Sequence, residues 1–328
     1  VSSTSFVLRQ VTMPPDTYVG NVVHYPADAR MGANCLIATK AAIPIEGPIR
    51  TGVGLLGSPV FEIPRSVARD QRFDHYKQPG VLEERLKLKL RSNLVTLGLY
   101  IVRSWGIALM ALVLAATAIH VSAGEASDVS SLAVAAAFAS ASLAFVVLAA
   151  LFSILCERLV CGSEPLQPRY CSLYDPLFWA HERFWKLNYN AFLRVFDGTP
   201  FKPLFLRLQG ARVGSRVFDD GAGLTEPSMV TIGDECMLNY RCAVQSHSLE
   251  DGTFKSDRIS IGNRCTIGTG GFVHYGSTMQ DASVLEADAF LMKGSLMESG
   301  TRWLGNPARD AASADDVRLA VAKGGKKW

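Results

Sequence analysis

The sequence predicts a mainly β chain: a parallel β-helix built on a hexapeptide repeat, in two copies joined by a transmembrane α-helical hairpin. Three observations predict it. Between Met13 and Phe61 an aliphatic or large residue recurs at every sixth position, as Met13, Val19, Tyr25, Met31, Ile37, Ile43, Ile49, Leu55 and Phe61. The spacing returns at Ile261, Ile267, Val273, Met279, Leu285, Leu291, Met297 and Trp303. Between the arrays lie two apolar stretches, 94–121 and 132–156, each long enough to cross a bilayer as a helix.

A period of six suits neither an α-helix nor a half-buried strand. In a β-helix each short strand is one side of a prism, and one bulky side chain per side points inward and stacks on its counterpart in the next coil. Small residues two positions earlier, such as Cys35 and Ala41 in the first array and Cys265, Gly271 and Ser277 in the second, let the chain turn at the corners. An offset of 248 residues aligns Gly20 with Gly268, Met31 with Met279, Gly52 with Gly300, and LLGSP (55–59) with WLGNP (303–307), without a gap. The chain therefore carries an internal duplication. Its first copy is expected to be truncated, because residue 1 is Val and the hexads are already running by Val7, which makes the chain a fragment of a longer polypeptide.

With 328 residues, 48% of them hydrophobic, the chain has room for two or three domains. The expected division is 1–65 as the C-terminal part of a first β-helix domain, 66–93 as linker and amphipathic helix, and 94–157 as the hairpin. A linker with an aromatic amphipathic helix follows over 158–209, then a second β-helix domain over 210–309 and a C-terminal helix and tail over 310–328, with Ser313 as the helix N-cap. Trp179, Phe184, Leu187 and Phe192 form a helical stripe that either lies at a membrane interface or packs on the β-helix.

Arg85, Lys87, Lys89 and Arg91 precede the first apolar stretch and Arg158 follows the second, whereas the loop between them carries Glu125 and Asp128 and no Lys or Arg. The positive-inside rule then predicts a multi-pass membrane protein with both β-helices in the cytoplasm. Arg103 is expected near the cytoplasmic end of its span, snorkelling to the headgroups. The alternative for the apolar pair is a buried helical pair in a soluble core.

A net charge of +3, spread along the chain, supports no nucleic-acid reading. Seven cysteines in a cytoplasm-facing chain do not suggest a disulfide framework, and Cys35, Cys236, Cys242 and Cys265 fall on small corner positions suited to a buried thiol. No metal-ligand spacing, phosphate loop, dinucleotide fingerprint or nucleophile elbow appears.

The candidate chemistry lies where the rhythm breaks. Hexads run through Ile232, Leu238 and Val244, then pause until Ile261 in a shifted phase, so residues 247–258 are expected to leave the prism as a loop. His247 stands at the root of that loop, with Glu250 and Asp251 behind it. Histidine is a natural general base near neutral pH, and a carboxylate, Asp251 or Glu250, or else a backbone carbonyl, can fix its tautomer. His24 and His274 lie on regular hexads and are expected at the surface.

The run GTPFKPLFLRLQGARVG, then LTEPSMVTIGDECMLN, QSHSLEDGTFKSDRISIGNRCTIGTG and LMKGSLMESGTRWLGNPAR, resembles the C-terminal region of membrane-bound nonribosomal peptide synthetases of the ε-poly-L-lysine synthetase type. The resemblance implies adenylation and carrier domains in the same polypeptide, transmembrane helices, and tandem left-handed β-helix domains related to trimeric acetyltransferases; the handedness comes from it alone. It places the family's histidine on His247, its acidic pair on Glu250 and Asp251, and its lysine on Lys255. Lys255 and Asn239 are the expected substrate contacts. Two departures, Gly252 in place of a basic residue and GLTE in place of a more acidic lead-in, leave the substrate open.

The expected function is amide-bond formation: an aminoacyl group on a carrier-bound phosphopantetheine thioester is attacked by the amine of an amino acid or peptide acceptor. No cofactor is expected to bind directly, and membrane lipid is an expected contact. Two rivals are a membrane-associated N- or O-acetyltransferase using acetyl-CoA and a non-catalytic scaffold for carrier domains. Repeated β-helices in one chain suggest a pseudo-trimer built in cis.

Overall fold

The hexad row of the second array points inward as expected: Ile261, Ile267, Val273, Met279, Leu285, Leu291 and Met297 are at most 1% exposed, and Trp303 at its end is half-buried. The computed structural model describes residues 8–64, 72–123, 131–162, 164–188, 191–250 and 252–312. Asp251 and the expected C-terminal helix from Ser313 lie outside them.

The buried row is produced by parallel strands stacked in register. Thr266 pairs with Val284 and Val284 with Arg302; Thr278 pairs with Leu296, and Phe272 with Phe290. Each step is eighteen residues, or three hexads, and the strands fall into three parallel stacks around one apolar core. A turn with positive φ recurs at the corners, as at Arg241, Gly270 and Asp288. The corner thiols serve as packing groups: Cys265 Sγ donates to Gln280 O at 3.1 Å, and Cys35 Sγ to Arg50 O at 3.4 Å.

The first array repeats the arrangement, with Tyr18 paired to Leu36 and Leu36 to Gly54. Ile37 and Leu55 are fully buried, but Met13, Ile49 and Phe61 of the same row are exposed. For Ile49 the cause is a one-residue slip: Met31 bridges to Arg50 rather than to Ile49. A slip of one residue turns a side chain to the opposite face. Phe61 opens a strand, Phe61–Pro64, that returns antiparallel on Val53–Leu56. The copy ends likewise, with Arg302–Leu304 against Arg309–Asp310, so LLGSP and WLGNP are equivalent closures.

The inserted segment is not a loop. His247–Glu250 and Thr253–Ser256 form an antiparallel hairpin, and Arg169–Ser172 adds a third strand to it.

Four α-helices among the described residues make the fold mixed α/β rather than mainly β. Two are long and apolar enough to cross a membrane, α1 (Val81–Ala123) and α2 (Ser131–Cys161). They pack on one another and leave Trp105, Leu109 and Leu112 facing outward. Arg103 does not snorkel: it is 6% exposed and its Nη2 donates to Ser153 Oγ on α2 at 3.0 Å. A buried guanidinium needs acceptors, and the neighbouring helix provides one.

Helix α3 (Pro176–Asn188) buries Trp179, Phe184 and Leu187. Phe178 and Trp179 join Cys171 and Phe254 in a cluster against the hairpin, so the aromatic stripe packs within the protein. Helix α4 (Lys202–Leu208) has Pro203 in its first turn, where a missing N–H costs nothing. It precedes the second array.

Candidate functional site

The strand Gly223–Leu224 ends in Thr225 and Glu226, and Pro227 then opens a short 3-10 turn. Glu226 is thereby held inside, 0% exposed. Its carboxylate collects five donors. His247 Nδ1–H donates to Oε1 at 2.6 Å and His181 Nε2–H donates to the same oxygen at 3.2 Å. The indole N–H of Trp185 also reaches Oε1, while Thr225 Oγ1 and the Ser246 backbone N–H reach Oε2. Burial alone would raise the Glu226 carboxyl, but the hydrogen bonds from His181, His247 and Thr225 hold it well below the usual carboxylate range. It is a fixed anion in a dry site.

That anion sets the tautomer of His247. An ionised carboxylate only accepts, so Nδ1 carries the hydrogen that faces it and Nε2 keeps a lone pair. Trp185 lies over the ring, with centroids 4.0 Å apart and planes 25° apart, and Phe254, fully buried, backs the group.

His247 faces a cavity of about 350 Å³ between the two arrays. The first array contributes Tyr18, Asn21, Leu36 and Leu56; the second contributes His247, Glu250, His274, Phe290 and Lys293. The walls are bonded together. Asn21 Nδ2 donates to Gln245 Oε1 at 2.8 Å, and Gln245 Nε2 donates to His247 O at 2.9 Å. Lys40 Nζ donates to the carbonyls of Gly270 and Asp288, each at 2.8 Å, and Asn306 Nδ2 donates to Lys40 O. Leu56 packs with Phe272 and Phe290.

His274 corrects its expected surface position, being 5% exposed. Its Nε2–H donates to His247 O at 3.2 Å. Burial, aided by the charge of Lys293, lowers its pKa to about 4, so it is a neutral donor at physiological pH.

The other expected site residues divide. Glu250 lines the cavity, but its carboxylate pairs with Lys293 at 3.1 Å, and the His247 ring is held by Glu226 instead. Lys255 sits on the hairpin with Nζ 5.1 Å from the Tyr170 ring centroid, outside the cavity lining. Asn239 Nδ2 donates to Ile267 O at 2.9 Å and braces one coil on the next. Sequence reasoning missed Glu226, His181, Trp185 and the inward-facing His274. GLTE carried the available signal, an acidic residue just before Pro227. Among the described residues no group of three His, Cys, Asp or Glu side chains is placed to hold a metal ion.

The sheets resemble those of hexapeptide-repeat acetyltransferases. A maltose O-acetyltransferase from Clostridium difficile 630 matches 44% of this chain and 91% of its own, at 16% identity and a TM-score of 0.32. A hexapeptide-repeat acetyltransferase from Vibrio cholerae matches 36% of this chain and 84% of its own, at 17% identity and a TM-score of 0.29. No family model matches the chain. Among characterised sequences, delta-poly-L-ornithine synthetase of Acinetobacter baumannii is 32% identical over 146 residues, which are 43% of this chain and 11% of that protein. The matched region is thus a small part of the relative's length.

Proposed function

We propose that the cavity between the arrays is an acyl-transfer site, in which an amine or hydroxyl attacks a pantetheine thioester and His247 takes the proton. The observation that carries this reading is the buried Glu226–His247 pair, with His247 among the residues that line the cavity. The nucleophile's lone pair adds to the thioester carbonyl carbon and its proton passes to His247 Nε2. Collapse of the tetrahedral intermediate breaks the C–S bond, and the imidazolium returns the proton to the leaving thiolate. Glu226 stays ionised, orients the ring and stabilises the imidazolium. Glu250, paired with Lys293 at the cavity, has no part in this relay and is a candidate substrate contact.

A free coenzyme A thioester is the first donor to consider, because it requires no further domain. The second reading is condensation, in which the donor is an aminoacyl group on a carrier domain and the product is an amide. The similarity to a poly-ornithine synthetase favours it, and it calls for adenylation and carrier domains in the whole protein.

The same reading takes the two arrays as tandem left-handed β-helices on the cytoplasmic side of a transmembrane hairpin. The eighteen-residue step supports the β-helices and the basic flanks of the apolar helices support the orientation, while the handedness rests on the resemblance. The contact between the arrays includes non-equivalent residues, Leu56 of one against Phe272 and Phe290 of the other, beside pairs at the 248-residue offset such as Lys40 with Asp288. A heterologous contact of this kind extends to a third copy and can close a ring, which supports a pseudo-trimer.

The test is thiol release from acetyl-CoA and, separately, from an aminoacyl-loaded carrier, with a panel of amines and with His247→Ala as control. Release from acetyl-CoA that needs His247 supports the first donor; release from the loaded carrier alone supports condensation. Wild-type protein inert to both overturns acyl transfer and leaves the scaffold.

A further inference from the structure

We propose that α3 ties the candidate base to the two long helices, with Trp185 and His181 as positioning residues that set the His247–Glu226 geometry; this rests on the acyl-transfer reading above.

Two groups of side chains on α3 serve two different neighbours. His181 and Trp185 are four residues apart, hence on one face, and both send an N–H to Glu226 Oε1. Trp185 also stacks on the ring of His247. Glu182 and Arg183 instead engage α1. Glu182 pairs with Lys89, and Arg183 donates through Nε to Thr96 Oγ1 at 3.1 Å and through Nη2 to Ser92 Oγ at 3.2 Å. Lys89, Ser92 and Thr96 are spaced by three and four residues along α1, so one stripe of the long helix grips α3. The Lys89 ammonium lies 5.2 Å from the Phe178 ring centroid and 5.6 Å from that of Trp179.

Packing alone does not account for this arrangement. An apolar face would dock α3 on the hairpin equally well, without two N–H groups converging on one buried oxygen. Nor is the indole wedged from every side. Trp185 and Thr225 also line a second cavity of about 340 Å³, so polar bonds and the ring stack do much to set the position of the indole. A catalytic imidazole displaced by about 1 Å can lose roughly a hundredfold in rate. A shift of α1 against the soluble arrays is therefore transmitted to His247 through α3.

The test uses the full chain in lipid nanodiscs, with the thioester assay above run across pH. Trp185→Leu removes both stack and donor, Trp185→Phe keeps a ring for stacking, and the Lys89→Ala/Arg183→Ala pair loosens α3 without touching the cavity. The expected result for Trp185→Leu and for the Lys89/Arg183 pair is a kcat lowered roughly tenfold to a hundredfold with KM nearly unchanged, and an acid limb of the pH–rate profile that moves. Trp185→Phe recovers part of the rate. Wild-type kcat and an unmoved pH profile in these variants, with His247→Ala inactive, overturn the positioning role and leave the acyl-transfer reading intact. Full activity in His247→Ala overturns that reading instead. Independently of turnover, ¹⁵N-histidine NMR reports the tautomer of His247. The Nδ1–H form in wild type giving way to a mixture in Trp185→Leu supports the inference, and an unchanged tautomer overturns it.

Discussion

Glu226 and His247 are 21 residues apart in sequence, yet the carboxylate, sealed from solvent, accepts the imidazole Nδ1–H at 2.6 Å. The inserted hairpin starts at His247, directly above the coil that ends in Glu226, so the break in the hexad rhythm is what brings the two together. His181 and Trp185 complete the group from α3.

Glu226→Gln replaces a fixed acceptor with an amide that presents N–H as well as C=O to the imidazole. The expected loss in kcat is roughly 10²- to 10⁴-fold with little change in KM. Glu250→Gln, altered at the Lys293 pair in the cavity, is expected to change KM more than kcat. Steady-state kinetics of thioester turnover separates the two.

Stability is expected to fall between about pH 6.5 and pH 4. The folded protein holds His274 at about 4, below its ordinary 6.5, so the unfolded chain binds that proton more readily. The His274 contribution is therefore complete above 6.5 and is lost as pH falls through 4, and it is on the order of 3 kcal/mol at most. Glu226, also lowered, has the same sign but acts below its ordinary 4.5. Denaturant unfolding at pH 7.5 and pH 5 should show a smaller loss for His274→Gln, which keeps an N–H donor and does not titrate.

Ile267 and Ile49 occupy the same place in the six-residue pattern but not in the structure. Ile267→Ala empties a fully buried position and is expected to cost about 2–5 kcal/mol. Ile49, turned outward by the slip opposite Met31, should tolerate alanine within about 0.5 kcal/mol. Thermal or denaturant unfolding of the two variants tests the register.

Lys40 joins the arrays at carbonyls of the second copy. Lys40→Met leaves Gly270 O and Asp288 O without that donor, at a cost of about 1–3 kcal/mol. Hydrogen exchange should rise around Phe272 and Phe290 while the inner coils stay protected, and turnover should fall because the cavity has one wall in each array.

Leu112 faces outward from α1 and is 68% exposed. If α1 spans a bilayer, Leu112→Arg places a charge in hydrocarbon at about 2.5–3.5 kcal/mol. The fraction of protein resisting carbonate extraction should drop, whereas Leu112→Ile should leave it unchanged.

Hydropathy and length marked the two long apolar helices, and the six-residue spacing already specified the stacked strands, the inward row from Ile261 to Met297, the corner thiols and the equivalent closures at LLGSP and WLGNP. It did so because burial in a stacked coil depends on a residue's phase along its own strand, which is a local property. His247 was legible for a related reason: it stands where that phase breaks. Glu226, His181, Trp185 and the inward turn of His274 were decided by the tertiary structure, as was the exposure of Ile49. Each depends on which distant element packs against the residue, a donor from α3 or a wall from the other array. Polar partnership carries no periodicity, so a carboxylate becomes the anchor of an imidazole only when folding removes the water that would otherwise satisfy both.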